Sequence, residues 1–170
     1  MPDGSPIKAL VKVRVGQPSD VDDVMKLALM GSAENGFVNP NPLKILEDVW
    51  CALNKDRGIV GIIGAPGSPE GAVLLRIWPL WYSDDQIIEE RAIYVHPDHR
   101  AAAGGRATRL CEFSKMVSDQ LGIPLLIGVL SNMRTDAKVR LYERHFGTQA
   151  GSFFLYGART GGAAAASTDG

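Results

Sequence analysis

Two arginines enclose five small residues in a stretch that could bind an anion. It begins at Val95, where a strand-like run ends, and continues through Arg100, Ala101, Ala102, Ala103, Gly104, Gly105 and Arg106 into a helix-like run. The first amides of a helix have no intrahelical partner, and the helix dipole places partial positive charge there. Small side chains leave these amides accessible, and the arginines can supply full charges. The pattern predicts a pyrophosphate site, although a glycine-rich turn before a helix is also common without a ligand.

Other phosphate sites and metal sites are not predicted. The chain has no GxxxxGK[ST] sequence, and no GxGxxG opens a parallel strand-helix-strand unit. His96 and His99 flank Pro97-Asp98, but no third residue stands at the spacing of a metal ligand. We therefore expect two surface histidines and no metal.

The elements that must position the turn alternate along the chain. One domain is expected over residues 8–157, between a flexible N-terminus at 1–7 and a disordered tail at 158–170. Hydrophobic periodicity predicts an α+β fold in the order βααβββαβαβ. The predicted strands cover 8–15, 58–64, 72–82, 86–95, 124–130 and 152–157. Ser19 and Asn41 are expected to cap the first two helices, and the last two are expected near 105–121 and 135–146.

Composition narrows the classes of partner. The formal net charge is −1 and the pI is about 6.3, which disfavours a non-specific nucleic-acid-binding protein. The chain has two cysteines, Cys51 and Cys111, and this favours a reducing compartment over a disulfide framework. No membrane span or signal peptide is expected. The expectation is a cytoplasmic protein that binds a small molecule and could form a homodimer.

The strand, turn and helix around Arg100 resemble the acetyl-CoA site of the GNAT superfamily of N-acetyltransferases. That superfamily carries V-x-P-x-x-R-x-x-G-x-G/A, and this chain reads VHPDHRAAAGG at 95–105, with Ala103 in place of the first glycine. LYERHFG at 141–147 is similar to the family sequence L-Y-E-x-x-G-F, with its last two residues in reverse order. The resemblance extends over about residues 11–157. It implies a mixed, mainly antiparallel central sheet flanked by helices, with acetyl-CoA as co-substrate and no metal.

The resemblance also implies where acetyl-CoA would lie. Ile93 and Val95 would offer main-chain groups to the pantetheine arm along the fourth strand, in the manner of an added strand. The amides from Ala101 to Arg106 would hold the pyrophosphate. Asn132 resembles a family asparagine that contacts the pantetheine arm, although its spacing to Tyr142 is longer than usual.

Proton transfer identifies a second group of candidates. An alkylammonium with a pKa near 10.4 must lose a proton before it can attack, and the departing thiolate must gain one. Tyr142 resembles the family's general acid, whereas a simpler interpretation is a tyrosine that packs in the core. Glu89 and Glu90 lie on the predicted fourth strand, where relatives place a glutamate base. Adjacent strand residues point to opposite faces, so we favour Glu89, unless a bulge changes the phase or both are solvated charges.

Together these features predict direct transfer of an acetyl group from acetyl-CoA to a primary amine, in a small molecule or a peptide. The alternative is a non-catalytic acyl-CoA-binding or regulatory module with the same fold. The sequence does not identify the acceptor.

Overall fold

The computed structural model describes residues 11–100, 105–131 and 134–158. In chain order the elements are β1 (Arg14–Val15), α1 (Val21–Asn35), α2 (Pro42–Leu53), β2 (Gly58–Ile63), β3 (Gly71–Pro79), β4 (Gln86–Val95), α3 (Arg106–Leu121), β5 (Leu125–Leu126) and α4 (Thr135–Phe146). Short 3-10 turns cover Pro18–Asp20 and Pro97–His99. Residues 1–7, for which a flexible segment was predicted, and most of the predicted tail, 159–170, lie outside the described residues.

The strands form one mixed sheet in the order β1-β2-β3-β4-β5. The first four strands pair antiparallel with one another, and hairpins connect β2 to β3 and β3 to β4. β5 follows the crossover helix α3 and pairs with β4 in parallel. The predicted α+β fold with a mainly antiparallel central sheet is therefore confirmed.

Alternating strand residues supply two cores, one on each side of the sheet. The first core packs the sheet against α3 and consists of Ile63, Val73, Leu75, Ile88, Val95, Leu110, Phe113 and Val117. The second packs the sheet against α1 and α2 and consists of Val24, Val49, Ala52, Leu53, Val60, Ile62 and Leu74. The sheet is thus held between helices on both faces.

The starts of the first two helices follow from capping chemistry. The Asn41 side chain accepts hydrogen bonds from the amides of Leu43 and Lys44, as the sequence predicts for α2. At α1 the predicted cap, Ser19, is wrong, because the N-cap residue is the buried Asp20. The Asp20 carboxylate accepts two hydrogen bonds from Arg14, at 2.8 Å each, and one from the Gln17 amide. The bond to Arg14 ties the start of α1 to β1.

The C-terminal part of the predicted strand order needs a correction. A strand was expected over 124–130, but β5 comprises only Leu125 and Leu126. The final strand predicted at 152–157 is wrong, because these residues have no strand assignment. Phe154 and Tyr156 are 95% and 102% exposed. Their aromatic composition favours a strand, but among the described residues no neighbouring strand pairs with this segment.

Candidate active site

A cavity of about 740 Å³ opens along the edge of β4 that faces β5. Five regions line it: the C-terminal half of α1, residues 89–95 of β4, the first turn of α3, the chain that follows β5, and α4. Part of the exposed segment at 153–155 completes the wall. Both sequence motifs therefore border the same cavity.

The cavity exists because β4 and β5 stay together for only two residues. Ile88 pairs with Leu125 and Glu89 with Leu126, and the pairing ends there. On the other side β4 continues its antiparallel pairing with β3, and the His96 amide donates to the Glu70 carbonyl. Because hydrogen-bonded residues alternate along an antiparallel pair, the main-chain groups of Ile93 and Val95 point away from β3 and toward the opening. This is the orientation that the predicted role of these two residues requires.

Glu90 lies where the two strands separate. The register between β3 and β4 shifts there, since Leu74 pairs with Ala92 and Leu75 pairs with Glu90, so that Arg91 is an extra residue. Burial raises the pKa of the Glu90 carboxyl to about 7, while Lys138 and the amides of Gly128 and Ile93 act to lower it. A carboxyl group in this range can both accept and release a proton near neutral pH.

Glu89 also lines the cavity but lies in a different environment. Its side chain is 30% exposed, and its carboxylate lies 3.5 Å from the Arg91 guanidinium. Arg91 in turn contacts Asp48 and stacks on the Trp78 ring at 3.7 Å. The preference for Glu89 depended on strict alternation along β4, and the bulge at Arg91 interrupts that alternation. Glu90, rather than Glu89, is the glutamate that interacts with Tyr142.

Tyr142 projects from α4 into the buried end of the cavity and is 9% exposed. Burial, followed by the charge of Glu90, raises the pKa of its hydroxyl, so the hydroxyl remains protonated. The Phe146 ring packs edge-on against it, with 5.7 Å between ring centroids. Nearby Cys111 is fully buried, and burial raises the pKa of its thiol to about 12, so it does not provide a thiolate nucleophile.

At the other end of β4, Arg100 forms ion pairs and hydrogen bonds within the protein. Its guanidinium donates to both carboxylate oxygens of Glu34 on α1, at 3.0 and 2.6 Å, and to the Val95 carbonyl at 2.9 Å. The Tyr94 hydroxyl donates to the same Glu34 carboxylate at 3.0 Å. The hydrogen bonds from Arg100 hold the pKa of Glu34 below its usual range. No sequence motif marks Glu34 as a partner of Arg100, because 66 residues separate the two.

The turn before α3 is only partly described. Gly105 adopts a left-handed conformation with a φ of 56°, and Arg106 begins the helix. The residues from Gly105 to Thr108 line the cavity, so the start of α3 faces it. Arg106 donates to the Glu70 carboxylate at 2.5 Å. The predicted site residues Ala101, Ala102, Ala103, Gly104 and Asn132 lie outside the described residues.

Within 11–100, 105–131 and 134–158, no group of three or more His, Cys, Asp or Glu side chains is arranged to hold a metal ion. The His96 and His99 rings pack edge to face, with 5.9 Å between ring centroids. None of the helices in these ranges combines the length and the apolar character that a membrane crossing needs.

Comparison with known proteins identifies the fold. No protein-family model and no curated protein matches the chain. Solved structures do match it. A predicted acetyltransferase from Clostridium acetobutylicum, solved with acetyl-CoA, is 13% identical with a TM-score of 0.66, covering 86% of this chain and 94% of that one. The chain has the GNAT acetyltransferase fold.

Two further solved acetyltransferase structures match over a similar share of this chain. An aminoglycoside acetyltransferase from an uncultured soil metagenomic sample, in complex with sisomicin, is 12% identical with a TM-score of 0.64, covering 88% of this chain and 97% of that one. The ribosomal-protein-alanine N-acetyltransferase of Brucella melitensis is 16% identical with a TM-score of 0.59, covering 85% and 98%. The resemblance suggested by the two sequence motifs is thus supported across the whole domain.

Proposed function

We propose that this protein transfers an acetyl group from acetyl-CoA to a primary amine. The observation that carries the proposal is the cavity along β4, which connects the start of α3 to a half-buried carboxyl group and a buried tyrosine. A phosphate-binding turn at one end and proton-transfer groups at the other are what this reaction requires. The GNAT-fold neighbour solved with acetyl-CoA supports the choice of acyl donor.

The residues along the cavity suit a long, partly peptidic ligand. Amides at the start of α3, from Gly105 onward, would hold the pyrophosphate, together with the predicted contribution of Ala101 to Gly104. Main-chain groups of Ile93 and Val95 would pair with the amides of the pantetheine arm. The Val95 carbonyl already accepts from Arg100 and the Ile93 amide interacts with Glu90, so the Ile93 carbonyl and the Val95 amide are the groups available for this pairing. Asn132 stays a predicted contact.

Glu90 and Tyr142 would supply the proton route. The bound thioester supplies an activated acetyl carbon and a good leaving group. Glu90, as the carboxylate, would accept the proton that the substrate ammonium must lose. The amine nitrogen then attacks, the N–C bond forms, and the C–S bond breaks. The Tyr142 hydroxyl would donate the proton that the leaving sulfur needs. The attacking nitrogen then loses its second proton, which returns to Tyr142, and Glu90 releases the first proton to solvent.

The alternative, an acyl-CoA-binding module without catalysis, would need no proton acceptor beside the thioester. A carboxyl group with a pKa of about 7 is costly to keep in a binding module, because burial disfavours its charged form. The arrangement of Glu90 and Tyr142 in one cavity therefore supports the enzyme over the module.

A panel of amines tests the proposal directly. The protein is mixed with acetyl-CoA and, separately, with an aminoglycoside, a polyamine, a peptide with a free N-terminus and a lysine peptide, and free thiol is measured. The proposal predicts amine-dependent thiol release with at least one class, and acetylated product by mass spectrometry. Binding of acetyl-CoA without release for any amine would favour the module instead.

A further inference from the structure

Lys138 lies on the cavity wall in a position that the proposed reaction does not yet use. It precedes Tyr142 by four residues on α4, so the two side chains share one face of the helix. Both line the cavity, and Lys138 is half-buried. Within the described part of the chain, no carboxylate lies at ion-pair distance from its ammonium. By contrast, Arg91, Arg100 and Arg106 are paired with carboxylates.

The surroundings of Glu90 explain why a cation matters there. Charged and titratable groups near Glu90 come from three elements: Lys138 and Tyr142 on α4, Cys111 on α3, and Glu89 on β4. The tyrosine and the thiol are neutral at physiological pH because burial raises the pKa of each. Glu89 is negative and opposes ionisation of Glu90. Among these groups, Lys138 alone carries a charge that favours the carboxylate.

We propose that Lys138 is a positioning residue for Glu90, whose ammonium keeps the carboxylate charged so that it can accept the proton of the incoming amine. The catalytic purpose of this role rests on the proposed function, whereas the effect of Lys138 on the titration of Glu90 can be measured without it. No ion pair between Lys138 and Glu90 is present in the described part of the chain, so the ammonium acts on the carboxylate as a nearby charge and not as a hydrogen-bond partner.

The test measures the titration of Glu90 itself. Protein labelled with ¹³C at glutamate side-chain carboxyls is titrated by NMR from pH 4 to 10, and Glu90→Gln identifies the resonance. We expect a midpoint near 7 in the unmodified protein. In Lys138→Met, which keeps the length of the side chain but removes the charge, the midpoint should rise by about one pH unit. Lys138→Arg should restore it.

A matched control makes the same chemical change elsewhere. Lys115 is an exposed lysine of α3 that does not line the cavity, and Lys115→Met should leave the Glu90 midpoint unchanged. Should Lys138→Met fail to fold, Lys138→Gln provides a polar replacement without charge. An unchanged midpoint in the folded Lys138 variants would overturn the proposal. If those variants also bind coenzyme A more weakly, Lys138 is a phosphate ligand instead.

The titration separates this inference from the proposed function, because it needs neither acetyl-CoA nor an acceptor. A shifted midpoint in a protein that acetylates no amine would leave the electrostatic role intact and defeat the acetyltransferase proposal. Conversely, amine acetylation with an unshifted midpoint would defeat the role of Lys138 alone. Where an acceptor is known, the acid limb of the kcat profile should move by the same amount as the midpoint.

Discussion

The two ends of β4 hold their charged residues in opposite ways. At the end next to α3, Arg100 pairs with Glu34 on α1 and Arg106 pairs with Glu70 before β3, so each charge meets its opposite at hydrogen-bond distance. At the end next to β5, Glu90 is half-buried and has no ion-pair partner in the described structure, and its burial raises the pKa of its carboxyl group to about 7.

This difference separates two kinds of contribution to a site. The arginine-glutamate pairs connect α1 and the start of α3 to the sheet, and therefore fix the shape of the cavity. The Glu90 carboxyl group costs stability at neutral pH, because ionising it in a buried position is unfavourable. Residues that cost stability are expected where chemistry uses them. The variants below compare the two ends of β4: changes near β5 should act mainly on turnover, and changes near α3 mainly on stability or coenzyme A binding.

The largest effect is expected from Glu90→Gln. Removing the proton acceptor should lower kcat by about a hundredfold to ten-thousandfold, with acetyl-CoA affinity nearly unchanged, because the amide cannot take a proton. Steady-state kinetics with the acceptor found in the amine panel would measure this. Glu89→Gln is the matched variant and should lose much less. The reverse order of losses would identify Glu89 as the base.

The same carboxyl group predicts a pH dependence of stability. The folded-state pKa of about 7 lies above the ordinary value of 4.5. Between these values the folded protein binds more protons than the unfolded chain, so the free energy of unfolding should fall as pH rises from 4.5 to about 7. At about 1.4 kcal/mol per pH unit, the upper bound is about 3.5 kcal/mol. Urea unfolding at a series of pH values measures the slope, and Glu90→Gln should remove this component.

Tyr142→Phe should have the next largest effect on turnover. The ring and its contact with Phe146 remain, but the proton donor is lost, so kcat should fall by about a hundredfold with little change in acetyl-CoA affinity. Thermal unfolding of the variant provides the control for packing. Turnover at the unmodified rate would remove Tyr142 from the mechanism and leave water as the proton source.

At the other end of β4, Arg100→Met should act mainly on stability. Loss of two charge-assisted hydrogen bonds to Glu34 and one to the Val95 carbonyl should lower the free energy of unfolding by about 2 kcal/mol. A double-mutant cycle with Glu34→Gln, followed by urea unfolding, measures the coupling between the two side chains. If stability were unchanged while coenzyme A binding weakened, the arginine would instead serve the cofactor directly.

The smallest effect is expected at Gly105. This residue and Gly122, at the end of α3, have left-handed φ values of 56° and 64°, so alanine should cost about 1 kcal/mol of stability at either position. A Cβ at Gly105 would meet Thr108 only at ordinary contact distance, and one at Gly122 would meet nothing. Gly105→Ala should weaken coenzyme A binding severalfold by calorimetry, and Gly122→Ala should not. Equal binding by both variants would contradict a phosphate site at this turn.

The sequence predicts an element of the fold well where the interactions that form it are local along the chain. The strand at 86–95 and the helix at 135–146 have the predicted bounds, because apolar periodicity and turn residues determine them within a few positions. The prediction of a final strand at 152–157 is wrong because its aromatic composition favours a strand, whereas a strand also needs a neighbouring strand to pair with. No local signal marks the bulge at Arg91, since Glu89, Glu90 and Arg91 are all compatible with a regular strand.

In the candidate site, too, the residues marked by local motifs could be predicted, and those set by long-range contacts could not. The motif residues Arg100, Gly105 and Tyr142 line one cavity, and each lies in a short stretch of recognisable spacing. Which glutamate faces Tyr142 depends on the bulge, and the pairing of Arg100 depends on a residue of α1. Lys138 could have been found from its spacing of four residues before Tyr142, which places both on one face of α4.

Calorimetric titration of the unmodified protein with acetyl-CoA, accompanied by thermal unfolding, tests the central claim most directly. The account predicts saturable binding of one acetyl-CoA per chain and a melting temperature that rises with ligand concentration, because the ligand binds only the folded state. Absence of both a binding heat and a rise in melting temperature at millimolar acetyl-CoA would contradict the account, since the cavity along β4 would then not be an acetyl-CoA site.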